Sequence, residues 1–166
     1  MKVPSEATLR RAIAFFATIG IGVATYITIV ESGGGAPACV AGGGGCHTVA
    51  ESSYSHIAGI NIAIFGILGY VGIFLTAFFV SDLSRLAGFV LALGGFGFSI
   101  YLTYLEIWVI EAICQWCVGS AVLMTILFLL NAARLIGYAG TEPPGPEAAI
   151  ADDRAPGEPE TGAEPA

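Results

Sequence analysis

The sequence predicts an all-α fold: a polytopic membrane bundle of four helices, with an outward-facing cysteine loop between the first and second helices. Two observations carry this prediction. Only 11% of the 166 residues are charged, against about 25% in soluble domains. The charges also avoid four windows of 19 to 24 residues, which is long enough to span a bilayer. These windows are residues 12–30, 57–80, 86–105 and 112–133.

The first window has an alternative interpretation as a cleaved signal peptide. Arg10 and Arg11 precede the apolar run, and the sequence Ala36-Pro37-Ala38 is typical of a cleavage site. However, the run exceeds the roughly 7 to 15 residues of a signal core, and the triplet lies several residues beyond its end. The sequence therefore favours a retained first helix.

The basic residues predict the orientation of the helices. They precede the first helix, occupy the second loop and follow the fourth helix, whereas the first and third loops hold none. They are Lys2, Arg10, Arg11, Arg85, Arg134 and Arg154. Because Lys and Arg concentrate on the cytoplasmic side, we expect both termini to be cytoplasmic and the first and third loops to face outward.

Three regions follow from this arrangement. Residues 1–11 form a cytoplasmic N-terminus, and residues 12–137 form the transmembrane domain, with its outer loop at 31–56. That loop is glycine-rich and is expected to be flexible. Residues 138–166 form an acidic cytoplasmic tail. Six of the eight prolines lie within residues 141–166, where the net charge is −6, so the tail is predicted to be disordered.

Four cysteines form two pairs on the outward side. Cys39 and Cys46 lie in the outer loop, and Cys114 and Cys117 form a Cys-x-x-Cys at the outer end of the fourth helix. Sequence alone leaves all three disulfide connectivities open. The pairs could be structural crosslinks, zinc ligands together with His47, or partners in thiol–disulfide exchange. Lipid already holds a helix straight, and the loop spacing is a weak zinc signal, so exchange is favoured and no metal site is predicted.

Two carboxylates bracket the third loop. Glu106 and Glu111 are expected to be solvated there, and the alternative is that one of them moves protons.

Several motifs together resemble the vitamin K epoxide reductase family, in its bacterial disulfide-forming branch. The resemblance covers about residues 8–137. It rests on Cys-His-Thr-Val-Ala-Glu-Ser-Ser-Tyr at 46–54, Gly-Ile-Asn at 59–61, Gly66 and Tyr70. It continues in Tyr-Leu-Thr-Tyr-Leu-Glu at 101–106 and Ile-Cys-Gln-Trp-Cys at 113–117.

The resemblance implies a four-helix bundle around a membrane quinone, of the ubiquinone or menaquinone (vitamin K) type. It implies that the loop pair, Cys39 and Cys46, takes electrons from a thioredoxin-like dithiol protein, and that Cys114 and Cys117 pass them to the quinone. Because Cys117 lies deeper along the fourth helix, it is expected to face the quinone, and Cys114, nearer the surface, is expected to exchange with the loop pair. The expected location is the bacterial inner membrane, with the cysteines facing the periplasm or exterior.

One candidate quinone contact follows from the same resemblance, and the others are taken from the side chains of the helices themselves. Ser52 matches a family serine that helps to hold the quinone oxygen. The remaining candidates are aromatic side chains of the helices and one asparagine: Asn61, Phe65, Tyr70, Tyr101 and Trp116. Asn61 stands where bacterial members often have proline, so it could cap the second helix or bond a quinone carbonyl; the cap is favoured.

Many bacterial members carry a fused thioredoxin-like domain, whereas this chain has only the acidic tail, so its partner would be a separate protein.

Three alternative functions share some of these sequence features. A strict quinone or vitamin K epoxide reductase would share the cysteine chemistry and differ in its preferred acceptor. Another family of four-helix disulfide oxidases has its cysteine pairs in the reverse order. The non-enzymatic alternative is a membrane scaffold crosslinked by disulfides.

Overall fold

The computed structural model of the protein describes residues 5–39, 45–57 and 60–139. The described chain is mostly helical, with five α-helices. They are α1 (Glu6–Ser32), α2 (Gly45–Glu51), α3 (Ile62–Thr76), α4 (Asp82–Trp108) and α5 (Gln115–Ala139). A 3-10 turn at Ser53–Ser55 follows α2, and β1 (His56–Ile57) pairs antiparallel with β2 (Ile60–Asn61).

Three helices are long and apolar enough to cross a membrane. α1 and α4 have 27 residues each, and the apolar part of α5 has 23. Side chains around each of these helices are apolar, as is typical of helices that contact both lipid and a protein core. The prediction of an all-α membrane protein is confirmed.

α3 is shorter than the window that predicted it. The window has 24 residues, whereas the helix has 15 and rises about 22 Å. Its start is set by Asn61, whose side-chain oxygen accepts a hydrogen bond from the Ala63 backbone N–H at 2.7 Å. The favoured interpretation of Asn61 as a helix cap is therefore correct. The residues before it pair as the β1–β2 hairpin and cannot extend the helix.

The four longer helices contact one another in a ring. α1 packs against α3 and α5, and α4 packs against the same two helices. Small residues allow close approach; a Cβ at Gly20 of α1, for example, would lie 2.5 Å from a ring carbon of Tyr70 in α3. The buried core consists of Ile13, Ala17, Ala24, Tyr70, Ile73, Ala77, Ala92, Met124 and Leu127.

Charged side chains gather at one end of this ring. Glu6 forms ion pairs with Arg85 at 3.0 Å and with Arg134 at 3.5 Å. Arg134 also donates hydrogen bonds to the carbonyl groups of residues 76 and 79, at 3.1 and 2.9 Å. These bonds satisfy carbonyl groups at the end of α3, which lack helical partners. The cysteines lie at the opposite end.

Part of the outer loop, 31–56, has regular structure. α2, the 3-10 turn and β1 occupy its second half, which was expected to be flexible. Residues 40–44 of the glycine-rich stretch lie outside the described residues, as do residues 140–166 of the predicted tail; residues 138 and 139 belong to α5.

Candidate functional site

The loop cysteines form a disulfide. Cys39 and Cys46 are bonded, with their Cα atoms 5.9 Å apart. Cys46 is the second residue of α2 and is only 2% exposed, whereas Cys39 is half-buried. The pair therefore presents its two sulfur atoms unequally, with Cys39 toward the outside and Cys46 toward the interior.

α2 carries Cys46 against the segment that precedes the second pair. A Cβ at Gly45 would overlap the carbonyl oxygen of Ile113 and lie 3.2 Å from its carbonyl carbon. Glycine at this position thus permits direct contact between α2 and the backbone next to Cys114. This contact brings the two cysteine pairs to the same end of the protein.

Cys114 and Cys117 are free thiols. Cys114 immediately precedes α5, and its sulfur accepts hydrogen bonds from the Cys117 thiol and from the backbone N–H groups of Trp116 and Cys117. The hydrogen bond from the Cys117 thiol is the main cause that lowers the pKa of Cys114 to about 7. Cys114 is therefore substantially a thiolate near neutral pH.

A cavity of about 170 Å³ lies between the two pairs. Its walls are mostly apolar and come from α1, α3, α4, α5 and the outer loop. Three cysteines line it: Cys46, Cys114 and Cys117. It is lined by four of the six residues predicted to contact a quinone, namely Ser52, Asn61, Phe65 and Tyr70.

Tyr101 and Trp116 are not among the residues that line this cavity. Tyr101 is 51% exposed on α4. Trp116 donates a hydrogen bond from its indole nitrogen to the Ala38 carbonyl at 2.9 Å, and its ring lies 5.0 Å from that of Tyr26. Trp116 thus joins the start of α5 to the segment that leads into Cys39.

The expectation that Glu106 is solvated is wrong. Its side chain lines the cavity and is 5% exposed. The carboxylate accepts a hydrogen bond from the Cys114 backbone N–H at 3.2 Å, and it lies within hydrogen-bonding reach of the Cys117 thiol, whose single proton it shares with the Cys114 sulfur. Glu111, in contrast, is exposed. Sequence gives no signal for this difference, because both residues border the same loop.

A second carboxylate was also missed. Glu31, in the last turn of α1, lines the cavity and accepts a hydrogen bond from the Asn61 side-chain amide. The same amide group caps α3 through its oxygen. Asn61 is therefore held by two neighbours at the edge of the cavity.

Tyr70 is fixed in a similar way. It is fully buried, and its hydroxyl group contacts the Ser120 carbonyl at 3.0 Å and the Ser120 hydroxyl at 2.7 Å. These bonds hold the Tyr70 ring against the cavity wall between α3 and α5.

Comparison with known protein families agrees with this site. The model of the Vitamin K epoxide reductase family matches residues 11–132, about three quarters of the chain. The match includes all four cysteines and the residues that line the cavity. Proteins of this family are membrane oxidoreductases that generally use quinones and act with thioredoxin-like partners. This chain belongs to the vitamin K epoxide reductase family.

Proposed function

We propose that the protein is a membrane thiol–disulfide oxidoreductase that oxidises a separate thioredoxin-like dithiol protein and passes two electrons to a membrane quinone. The observation that carries this proposal is the shared cavity, onto which Cys46, Cys114 and Cys117 all open. One pair is bonded and the other is reduced, which is the combination expected of two pairs that exchange electrons.

Electrons would enter at Cys39. A thiolate of the reduced partner attacks Cys39, the Cys39–Cys46 bond breaks, and Cys46 leaves as a thiolate. The second thiolate of the partner then attacks the mixed disulfide, so that the partner is oxidised and Cys39 is released. The greater exposure of Cys39 supports this order, because a protein from the aqueous phase reaches the outer sulfur first.

Electrons would next pass to the second pair. The Cys46 thiolate attacks Cys114 of the oxidised Cys114–Cys117 pair, and Cys117 leaves with the electrons of the broken bond. Cys39 then attacks Cys46, the loop disulfide closes again, and Cys114 is released. A pKa of about 7 makes Cys114 a good leaving thiolate. The bonded loop pair and free second pair correspond to the product of this step.

The cavity fits a quinone ring. Apolar cavities of about 150 Å³ accept a benzene ring, and this one has about 170 Å³ with a few polar groups at its edge. Asn61 keeps one amide N–H that could donate to a quinone oxygen, and Ser52 would do so by turning its hydroxyl away from the Val49 carbonyl, to which it donates at 2.7 Å. Phe65 and Tyr70 would contact the ring. When bound, the quinone supplies a two-electron, two-proton acceptor. The protein's own side chains position the thiols and exclude water.

The charge distribution supports the predicted orientation. Arg10, Arg85 and Arg134 lie at the end opposite the cysteines, and by the positive-inside rule this supports a cytoplasmic location for that end and an outward location for the cysteines. We assign α3 as the fourth membrane span within a domain that begins at residue 12 and ends with α5 at residue 139, between an N-terminus at 1–11 and a cytoplasmic tail that follows α5. The proposed location is the bacterial plasma membrane.

Reconstitution tests this function. Purified protein in lipid nanodiscs is mixed with reduced thioredoxin and a short-chain ubiquinone or menaquinone, and both thioredoxin disulfide and quinol are measured. We expect both products from the wild-type protein and no quinol from Cys114→Ser or Cys117→Ser. With a thioredoxin that has only its attacking cysteine, the mixed disulfide should map to Cys39. Quinol formation that persists in both serine variants would refute the relay, and a crosslinked scaffold would produce no quinol at all.

A further inference from the structure

Glu106 contacts both members of the second cysteine pair. It lies in the last turn of α4, and its carboxylate accepts a hydrogen bond from the Cys114 backbone N–H and competes with the Cys114 sulfur for the single proton of the Cys117 thiol. In the proposed function, the sulfur of Cys117 gives up its electrons to the quinone. Glu106 lies next to the proton that this sulfur must lose.

Burial of this carboxylate is costly. A buried charge normally has an ion-pair partner, but no ion pair with Glu106 occurs within the described part of the chain, where Arg85 and Arg134 pair with Glu6 at the other end. A neutral amide would satisfy the Cys114 N–H equally well. The structural role alone therefore does not account for a carboxylate at this position, whereas a proton acceptor requires one.

We propose that Glu106 accepts the proton of the Cys117 thiol when the second pair is reoxidised. The inference rests on the proposed function, because it concerns the step in which that pair gives up its electrons. The Glu106 carboxylate becomes a carboxylic acid as Cys117 becomes a thiolate. The Cys114–Cys117 bond then forms and releases two electrons. These electrons and two protons, one passed on from Glu106 and one from water, end on the quinone.

The other titratable groups around the cavity are engaged elsewhere. Glu31 accepts from Asn61, Tyr70 bonds to Ser120, and Cys46 is in the loop disulfide. Tyr54, in the 3-10 turn of the outer loop, also lines the cavity, and it is not among the residues that hydrogen-bond to Cys114 or Cys117. Of the carboxylates in the described structure, Glu106 is the one recorded in contact with a sulfur of the second pair.

The test compares Glu106→Gln with Glu111→Gln. The first variant keeps an oxygen that accepts from the Cys114 N–H but removes the proton acceptor. The second removes the same charge from an exposed position in the adjacent loop. Pre-reduced protein is mixed with a short-chain quinone, and the rate of pair reoxidation is followed over a pH series. We expect Glu106→Gln to be slower by about 10²- to 10⁴-fold across the pH series, with the decline on acidification that comes from protonation of Cys114 retained, while Glu111→Gln matches the wild type.

An alkylation assay without quinone distinguishes loss of the proton acceptor from displacement of the Cys117 side chain. The reduced proteins are alkylated with iodoacetamide, and the Cys117 rate is read by mass spectrometry. Loss of the adjacent negative charge favours the thiolate, so Cys117 should alkylate faster in Glu106→Gln while its reoxidation by quinone is slower. A merely structural role would not move the two rates in opposite directions. Glu106→Asp, which keeps an acid, should recover part of the quinone rate and provides the test if the glutamine variant does not fold.

The failures of the two proposals are distinguishable. If wild-type protein does not transfer electrons to quinone, the proposed function is wrong, and the inference falls with it. If the wild type is active and Glu106→Gln is reoxidised at the same rate, or is slowed in both assays alike, the proton-acceptor role is wrong and the relay stands.

Discussion

The hydrogen bond between the two thiols of the second pair controls the reactivity of Cys114. It is the main cause that lowers the Cys114 pKa from its ordinary value of 9.0 to about 7. Cys117→Ala removes the donor, while burial and the Glu106 charge continue to raise the pKa. Cys117→Ser is the matched control, because its hydroxyl group still donates. We expect the pKa of Cys114 to rise toward 9 in the alanine variant and to stay near 7 in the serine variant.

The size of the effect follows from the two pKa values. Near pH 7, a thiol of pKa about 7 is about half thiolate, whereas a thiol of pKa about 9 is about 1% thiolate, a loss of about 50-fold. Each thiolate also becomes more nucleophilic as its pKa rises, by about 6- to 10-fold for two pKa units. The net expectation is alkylation of Cys114 that is about 5- to 8-fold slower in Cys117→Ala near pH 7.

Residue-resolved mass spectrometry after timed alkylation measures this rate in reduced protein. Because the thiolate is present above the pKa and lost below it, the rate should rise with pH and reach half of its plateau near pH 7 in the wild type and near pH 9 in Cys117→Ala. The same midpoint in the wild type and in Cys117→Ala would show that the thiol–thiol bond does not set the reactivity of Cys114.

Three further substitutions test the packing that positions the site. Gly45→Ala should displace α2 and slow electron transfer from the loop pair to the second pair by about 10²-fold, with quinone reduction by the pre-reduced second pair unchanged; rapid-mixing experiments on each step check this. Arg134→Ala removes two charge-assisted hydrogen bonds to carbonyl groups at the end of α3 and should destabilise the protein by about 1–3 kcal/mol, measured by unfolding in detergent; equal stability would contradict it. Gly20→Ala places a methyl group against the Tyr70 ring and should cost about 1–3 kcal/mol, while Gly22→Ala, which has open space, should not destabilise the protein in the same assay.

The sequence predicted the membrane class because charge is excluded over lengths that match a bilayer, a property independent of tertiary contacts. The extent of α3 was not predictable in the same way. Its window is apolar from residue 57 to residue 80, but Asn61 caps the helix and the preceding residues form a hairpin. Apolar residues serve equally in a strand, a turn or a helix, so the window gives only an upper bound on helix length.

The cysteines of the site were identifiable from their spacing, whereas the cavity lining was only partly so. In a helix that contacts lipid on one face and protein on the other, both faces are apolar, so the pattern does not show that Tyr101 lies outside the cavity and Tyr70 lines it. The burial of Glu106 depends on hydrogen bonds to Cys114 and Cys117. Such contacts arise only when the third loop folds back on α4.

The central claim is that Cys46 and Cys114 meet across one cavity and exchange electrons. The double variant Cys39→Ser, Cys117→Ser leaves only these two cysteines, and non-reducing peptide mapping after mild oxidation shows whether they join. The account predicts an intramolecular Cys46–Cys114 disulfide, and no bond between the remaining cysteines of the matched variant Cys46→Ser, Cys114→Ser. Cys46 and Cys114 that both stay free and alkylatable would contradict it.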